Sequence, residues 1–225
     1  MSFFNRESAF TSHRLLDAVG AGKTVAVDLQ QAPAAYQHSL AEGHRQEIKA
    51  LLKSNYTLIN AHTDEQIAEF LEIYSQTMLR RNANAQYFFK LNYFKAILKN
   101  SQATPVLKMV YENNKPLAGG IFTTQGSNIH YLFSGSVSNA TPYPATKLIL
   151  DHVIRENLQK NKVKLLHLGG GLGGREDGLF QFKFGFGKVI LPFYTTQWIL
   201  MPEVYNRLSA HIPKETAFFP KYRTV

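Results

Sequence analysis

The chain has 225 residues, of which 44% are hydrophobic and 12% aromatic, enough to bury a core without covalent cross-links. It has no cysteine, which excludes disulfides, thiolate zinc sites and cysteine nucleophiles. Lys and Arg number 25 against 16 Asp and Glu, and this formal net charge of +9 favours anionic partners such as nucleic acid, phosphorylated precursors or a membrane surface. The sequence shows no apolar region of a signal peptide and no membrane span, so we expect a cytoplasmic protein.

Hydrophobic periodicity and turn residues predict a chain of mixed strands and helices. A capping box of Thr63 and Gln66 opens the best-defined helix, whose apolar residues share one face: Ile67, Phe70, Leu71, Tyr74 and Met78. Turn residues at 113–116 and 125–127 divide a three-stranded antiparallel meander. The predicted order is strand 24–29, helix 33–53, strand 56–59, helix 63–78, helix 88–98, strands 106–112, 117–124 and 128–136, a helix from 144 to about 159, strand 164–168, strand 189–200 and helix 203–211.

The most informative segment follows the strand at 164–168. An apolar run ends in five glycines between 169 and 174, which leaves backbone open to the close approach of a ligand or another chain. From Phe180 to Phe186 every second residue is Phe, and this alternation predicts a strand with four rings on one face and Gln181 and Lys183 on the other. Lys183 is then either a solvated side chain of a half-buried strand, or a fixed cation that stabilises charge on an oxygen during acyl or phosphoryl transfer.

A second segment, 78–117, carries seven basic residues opposed only by Glu112. Five aromatic residues are interleaved with them, which are Tyr87, Phe88, Phe89, Tyr93 and Phe94. This mixture suits phosphate contacts combined with base stacking, but it also fits an ordinary amphipathic helix whose basic residues face water. Both interpretations stay open at this point.

The order of the predicted elements is that of a GNAT acyltransferase core. We therefore predict an α/β (α+β) fold with a mixed, mostly antiparallel central sheet flanked by helices. Residues 61–225 are predicted to form this GNAT-like domain, and residues 1–60 a linker together with the end of a first GNAT-like domain.

The chain also resembles the Fem family of aminoacyl transferases, mainly their second GNAT-like domain. The resemblance spans about residues 20 to 200 and rests on four places: 24–29 with 43–49, 74–89, 130–136, and 168–186. The last is the most specific, because Leu168-Gly169-Gly170 and Phe182-Lys183-Phe184-Gly185-Phe186 resemble the family's Gly-Gly and Phe-Lys-x-Gly-Phe signature.

The resemblance implies a reaction and roles for single residues. The activity would be transfer of an activated acyl group to an amine of a cell-envelope or polysaccharide precursor, with Lys183 stabilising the tetrahedral intermediate and Phe182 beside it. A phosphorylated acceptor would be held by Arg80 or Arg81, Tyr87 and Tyr131, and Gly169 and Gly170 would also belong to the substrate-binding residues. The only histidine that we consider as a proton acceptor is His167, for which a structural role is the alternative.

Partners and cofactors follow from the same resemblance. An aminoacyl ester is already activated, so no metal and no tightly bound cofactor is expected, and the donor would be an aminoacyl-tRNA, an acyl carrier or acyl-CoA. Acetyl-CoA bound in the usual GNAT manner is disfavoured, because segment 138–144 offers two prolines and no glycine for a pyrophosphate. Expected partners are a phosphorylated or glycan precursor and tRNA, not DNA, with peripheral membrane contact and a homodimer as further options. The rival class is a non-catalytic module that binds tRNA or an anionic glycan through residues 80–99.

Overall fold

The computed structural model describes residues 18–160, 162–213, 215–216 and 218–224. Contacts divide the chain into two compact units, a larger one formed by Lys23–Leu191 and a smaller one that includes Pro192–Val225. The larger unit holds every residue to which the sequence assigns a role. Predictions that concern residues 1–17, including the absence of a signal peptide, lie outside the described residues.

The strands form one seven-stranded sheet in the order β2-β3-β4-β5-β6-β1-β7. Their bounds are β1 Val19–Asp28, β2 Tyr56–Ala61, β3 Thr104–Glu112, β4 Lys115–Gln125, β5 Asn128–Ser136, β6 Leu165–Gly169 and β7 Val189–Thr195. The pairs β2–β3, β3–β4, β4–β5 and β1–β6 are antiparallel, whereas β5 and β6 run parallel. This mixed, mostly antiparallel sheet confirms the predicted fold class.

The helices are α1 Pro33–Ser39, α2 Glu42–Leu51, α3 Asp64–Arg80, α4 Leu91–Leu98, α5 Thr146–Lys160, α6 Gly178–Phe184 and α7 Pro202–Ser209. The predicted capping box is confirmed, because the side chains of Thr63 and Gln66 bond to each other's backbone N–H groups at the start of α3. Within the described residues, none of the helices combines the length and the apolar character needed to cross a bilayer.

Alternating residues of the strands send side chains to two hydrophobic clusters. In β3, Leu107 and Met109 join one cluster and Val110 the other, as expected when successive side chains point to opposite faces of a sheet. One cluster is covered by α1, α2, α5 and α6, and the other, which we call the aromatic cluster, by α3 and α4. The rings at the centre of the aromatic cluster are those of Phe70, Tyr74, Phe89, Phe94 and Phe133.

The strand predicted for 180–186 is wrong, because residues 178–184 form the helix α6 and a turn follows it. Asp177 caps it by accepting hydrogen bonds from the backbone N–H groups of Leu179 and Phe180, both at 3.1 Å. The rings therefore separate into two pairs four residues apart, Phe180 with Phe184 and Phe182 with Phe186, instead of sharing one face. Lys183 consequently lies on a helix.

Other boundaries differ less. The predicted helix 33–53 is broken between α1 and α2, where the N–H of Ala41 bonds at 2.9 Å to the carbonyl of Gly185. The predicted strand 189–200 ends at Thr195, and the predicted helix 88–98 begins at Leu91. The domain boundary predicted at residue 60 stays a prediction.

Candidate functional site

The sheet opens between its two parallel strands. The ladder between β5 and β6 runs from Asn128–Leu165 to His130–His167. Beyond that last pair, β5 remains paired with β4 as far as Ser136, and β6 remains paired with β1 as far as Gly169. Both strands thus keep their outer partners while they separate from each other, which leaves an opening at their C-terminal ends.

Two glycines form the end of β6 at this opening. Gly169 has a φ of +81°, a conformation that favours glycine, and a Cβ there would lie 3.3 Å from the Nζ atom of Lys183. A Cβ on Gly170 would lie 2.6 Å from the carbonyl oxygen of Lys23, closer than side chains tolerate. Glycine is therefore favoured at 169 by its backbone conformation and the nearby Lys183, and at 170 by the close approach of the Lys23 backbone.

The loop between β6 and α6 is held by Asp177. While one of its carboxylate oxygens caps α6, the other accepts a hydrogen bond of 3.0 Å from the backbone N–H of Leu172. These backbone donors, Leu172 first, lower the pKa of Asp177 below its ordinary value. A side chain at Gly171 would collide with this carboxylate, so the loop is fixed on both sides of the glycines.

Lys183 reaches back from α6 to the glycine pair. Its Nζ atom donates a hydrogen bond of 2.6 Å to the carbonyl oxygen of Gly170. Burial lowers the pKa of Lys183 to about 8, and the negative charge of Asp177 opposes that shift. An ammonium group has three N–H donors, so two remain for a substrate oxygen beside the contact described here.

Phe182 precedes this lysine in α6 and packs against α2. Its ring is half-buried and lies 5.5 Å from the ring of Phe186 and 5.4 Å from that of His44, measured between centroids. Its carbonyl oxygen accepts a hydrogen bond from His44. The side chain of Phe182 thus packs between His44 and Phe186 and carries no reactive group.

His167 lies in β6, two residues before the glycine pair. It is 7% exposed, and its Nε2 atom lies 2.9 Å from the hydroxyl of Thr24. Burial, followed by the neighbouring His130 and Lys183, lowers its pKa to about 4, so the imidazole is neutral at physiological pH. Its use as a proton acceptor stays a prediction.

Tyr131 and Arg80 lie along β5. Tyr131 follows the last β5–β6 pair, stacks on Phe122 with 5.1 Å between centroids, and has its pKa raised by burial to about 12. Arg80 donates to the carbonyl of Ser136, the last residue of β5, and at 3.0 Å to the hydroxyl of Thr77. Since β5 and β6 are parallel, this end of β5 is at the same edge of the sheet as Gly169.

The structure therefore brings four of the predicted residues together, Lys183, Phe182, Gly169 and Gly170. Across the opening, Tyr131 lies on β5 and Arg80 lies at the C-terminal end of that strand. Arg81 and Tyr87 are both exposed and follow α3, Arg81 as its last cap residue and Tyr87 in a short 3-10 turn. Neither has a described contact with the Lys183 group.

The basic, aromatic segment is divided between core and surface. Phe94 is fully buried and Phe89 packs against the same aromatic cluster, whereas Tyr87, Phe88 and Tyr93 are exposed. Two pockets lie beside α4, with volumes of about 500 and 290 Å³, and Lys183 lines neither of them. Among the described residues, no group of three or more His, Asp or Glu is arranged to hold a metal ion.

Sequence interpretation missed three neighbours of the site, His44, Glu47 and Lys147. The first two fall in the segment 43–49 that resembles the Fem family, but no role was assigned to them. Lys147 lies 100 residues or more from both, and no local pattern links them. The capping role of Asp177 had a signal, since Asp directly before a helical run is a favoured N-cap.

Comparison with known proteins bears on the family and the fold of this chain. Residues 94–194 match the model of the FemAB family, which confirms the resemblance to the Fem family. The structure of FemX superimposes with a TM-score of 0.63 at 12% identity, over 86% of this chain and 69% of that one. A search among curated proteins found no match.

Two further structures share the fold. L-PGS from Bacillus licheniformis has a TM-score of 0.55 at 13% identity, and a conserved protein of unknown function from Bacteroides thetaiotaomicron has 0.54 at 14%. Each alignment covers 79% of this chain, which spans 60% of the length of either relative. At these identities the likeness establishes the fold alone.

Proposed function

We propose that this chain, a Fem family relative through residues 94–194, is an acyl or aminoacyl transferase of cell-envelope synthesis. An amine of a cell-envelope or polysaccharide precursor attacks the carbonyl carbon of an activated ester. The new C–N bond forms, the ester C–O bond breaks, and the proton that the amine loses ends on the leaving oxygen. The FemAB match and the fold shared with FemX and L-PGS support this class of reaction.

One observation carries the proposal, the position of Lys183 beside the glycine pair where β5 and β6 separate. Attack on the ester creates an oxyanion, and a fixed ammonium group in a partly desolvated site stabilises that charge more strongly than water does. Because the hydrogen bond to Gly170 fixes the Nζ atom before substrate binds, little reorganisation is needed during the reaction.

The acceptor would lie along β5. Arg80 is our choice over Arg81 for its phosphate, because the Arg80 guanidinium lies against the carbonyl of Ser136 at the edge of the opening. An arginine pairs with phosphate through several N–H groups in one plane, which suits this role. Tyr131 and Tyr87 are proposed to contact the same acceptor.

The proposed donor and setting follow from the chemistry of the reaction and from the charge of the chain. An aminoacyl-tRNA supplies an activated ester. An acyl carrier or acyl-CoA supplies a thioester, whose C–S bond breaks in place of the C–O bond and whose sulfur takes the proton. The net charge of +9 suits either a tRNA or an anionic membrane surface. No metal is needed for this chemistry. A cytoplasmic location and a homodimer remain parts of the proposal.

The test is a transfer assay with labelled aminoacyl-tRNAs, offered with phosphorylated cell-wall precursors that carry a free amine. Lys183→Ala should lower kcat about 10²- to 10³-fold, the usual effect of removing an oxyanion donor, while precursor binding by calorimetry changes little. Lys188→Ala is the matched control, because Lys188 is a nearby exposed lysine whose Nζ atom donates to the Phe184 carbonyl. Equal rates for Lys183→Ala and wild type would refute the proposal.

A second candidate function rests on the exposed rings of Tyr87, Phe88 and Tyr93 among lysines such as Lys90 and Lys99. A non-catalytic module would use them to bind tRNA or an anionic glycan by stacking and charge. In that case Lys90→Ala and Tyr93→Ala weaken tRNA retention on filters, Lys183→Ala has no effect, and no transfer is detected with any donor.

A further inference from the structure

We infer that Glu47, Lys147 and His44 form a hydrogen-bonded chain that holds α6 in place and so positions Lys183 at the end of β6. His44 is in this account a positioning residue, since it acts on Lys183 only through the backbone of α6. The catalytic meaning of the chain rests on the proposed function, whereas its structural effect on Lys183 does not.

Every polar atom of the His44 ring has a matched partner. The Nε2 atom lies 2.8 Å from the carbonyl oxygen of Phe182, and because a carbonyl only accepts, Nε2 carries the proton and donates. The Nδ1 atom is then an acceptor, and it receives a hydrogen bond of 3.0 Å from the ammonium group of Lys147. Lys147 in turn pairs with the carboxylate of Glu47. The chain thus fixes one tautomer of a neutral His44.

The bond to Phe182 falls at the end of α6, where a partner is needed. Carbonyl groups of the last helical turn have no N–H four residues ahead within the helix. Phe182 belongs to that turn, because α6 ends at Phe184. Three residues on, the carbonyl of Gly185 accepts from Ala41, just before α2. The two bonds flank Lys183 and tie its helix to α2.

Close packing leaves α6 little freedom around His44. The imidazole lies 4.5 Å from the ring of Phe186 and 5.4 Å from that of Phe182. A side chain on Gly185 would collide with the His44 ring. The sequence Phe-Lys-x-Gly-Phe therefore fits around the imidazole on three sides, with Lys183 directed away from it toward Gly170.

The ion pair behind His44 joins a buried lysine to a half-buried carboxylate. The Lys147 residue is 5% exposed, its Nζ atom lies 5.6 Å from the centre of the Phe182 ring, and Glu47 is half-buried. Removing such charges from water costs free energy, so we expect the pair to do more than fill space, and holding His44 is that role here. Glu47 belongs to α2 and Lys147 to α5, and the hydrogen bonds of His44 extend this connection to α6, which carries Lys183.

The decisive experiment measures the pKa of Lys183 by NMR in protein labelled with ¹³C at the lysine side chains, with the signal assigned by Lys183→Arg. The wild-type pKa should lie near 8. His44→Leu removes both hydrogen bonds, so α6 loosens, the Nζ atom gains water and the pKa rises by about one unit or more. His44→Gln retains an N–H donor for Phe182 and should stay close to wild type.

Tyr36→Phe is the matched control. It removes another buried bond to α5, the one of 3.1 Å from the Tyr36 hydroxyl to Asp151, but this pair has no described contact with α6. If the two substitutions only lowered overall stability, the pKa of Lys183 would stay unchanged in both variants. The inference predicts that it shifts in His44→Leu and not in Tyr36→Phe. Should His44→Leu fail to fold, Glu47→Gln at its half-buried position should show a smaller rise.

An unchanged Lys183 pKa in folded His44→Leu, or an equal shift in Tyr36→Phe, would overturn the inference. If transfer is found, His44→Leu should lower kcat about tenfold with KM within twofold, and His44→Gln should restore most of it. If the pKa of Lys183 shifts in His44→Leu but neither the wild type nor any variant catalyses transfer, the proposed function is refuted and the positioning chain is retained. If transfer depends on Lys183 but not on His44, the proposed function is retained and the positioning chain is refuted.

Discussion

Two regions of the larger unit are stabilised by different means. Around α6, backbone and side chains meet through polar and charged groups, with Lys183, His44 and Lys147 each half-buried or buried and each hydrogen-bonded. Around α4, the contacts are between rings, with Phe94 in edge-to-face contact with Phe70, Tyr74 and Phe133 at 5.2 to 5.4 Å. The aromatic cluster stabilises the fold, and this stability offsets the cost of burying charged groups around α6.

The largest effect is expected in the aromatic cluster. Phe94→Ala should lower the free energy of unfolding by about 3–5 kcal/mol, because Phe94 is fully buried and its cavity would be lined by rigid rings. Urea unfolding followed by circular dichroism measures this. Tyr87→Ala, at an exposed ring that follows α3, should change stability by less than about 1 kcal/mol. Similar losses in both variants would show that the cluster is not the stabilising centre.

Acid should lower the stability of the fold through the buried imidazole of His167. Its folded-state pKa of about 4 is below the ordinary value, so its contribution to stability is present above pH 6.5 and is lost as pH falls through 4. At about 1.4 kcal/mol per unit, the loss amounts to about 3 kcal/mol. His167→Gln, which does not titrate, should flatten the fall in stability between pH 6.5 and 4. Parallel pH curves for the two proteins would contradict the burial of a neutral imidazole.

A smaller effect is expected at the glycine pair. Gly170→Ala places a methyl group against the Lys23 carbonyl and displaces the acceptor of Lys183, so we expect about a tenfold loss of transfer and about 1–2 kcal/mol of stability. Gly43→Ala is the control, because its Cβ meets nothing within 4 Å and a helical Gly-to-Ala change stabilises. Retained transfer in Gly170→Ala would show that the loop adapts and that the glycine is not needed for the site.

The sequence predicted the aromatic region better than the α6 region. The capping box of α3 and the turns of the meander are local signals, and they are confirmed. The alternation from Phe180 to Phe186 fits two structures. It fits a strand, and it also fits a helix, because residues four apart in this series lie on the same helical face. The Asp177 cap favours the helix. The contact of His44 with Lys147 joins residues that are 103 positions apart, so only the fold reveals it.

The central claim is that the ammonium form of Lys183 stabilises the oxyanion, and the pH dependence of transfer tests it most directly. With a pKa of about 8, wild-type kcat should fall as pH rises through that value, because the cation is lost. Lys183→Arg, whose cation persists to higher pH, should move this descending limb above pH 10 in whatever activity it keeps. A wild-type rate that instead rises through pH 8 and stays high would identify Lys183 as a base, or as a bystander, and contradict the account.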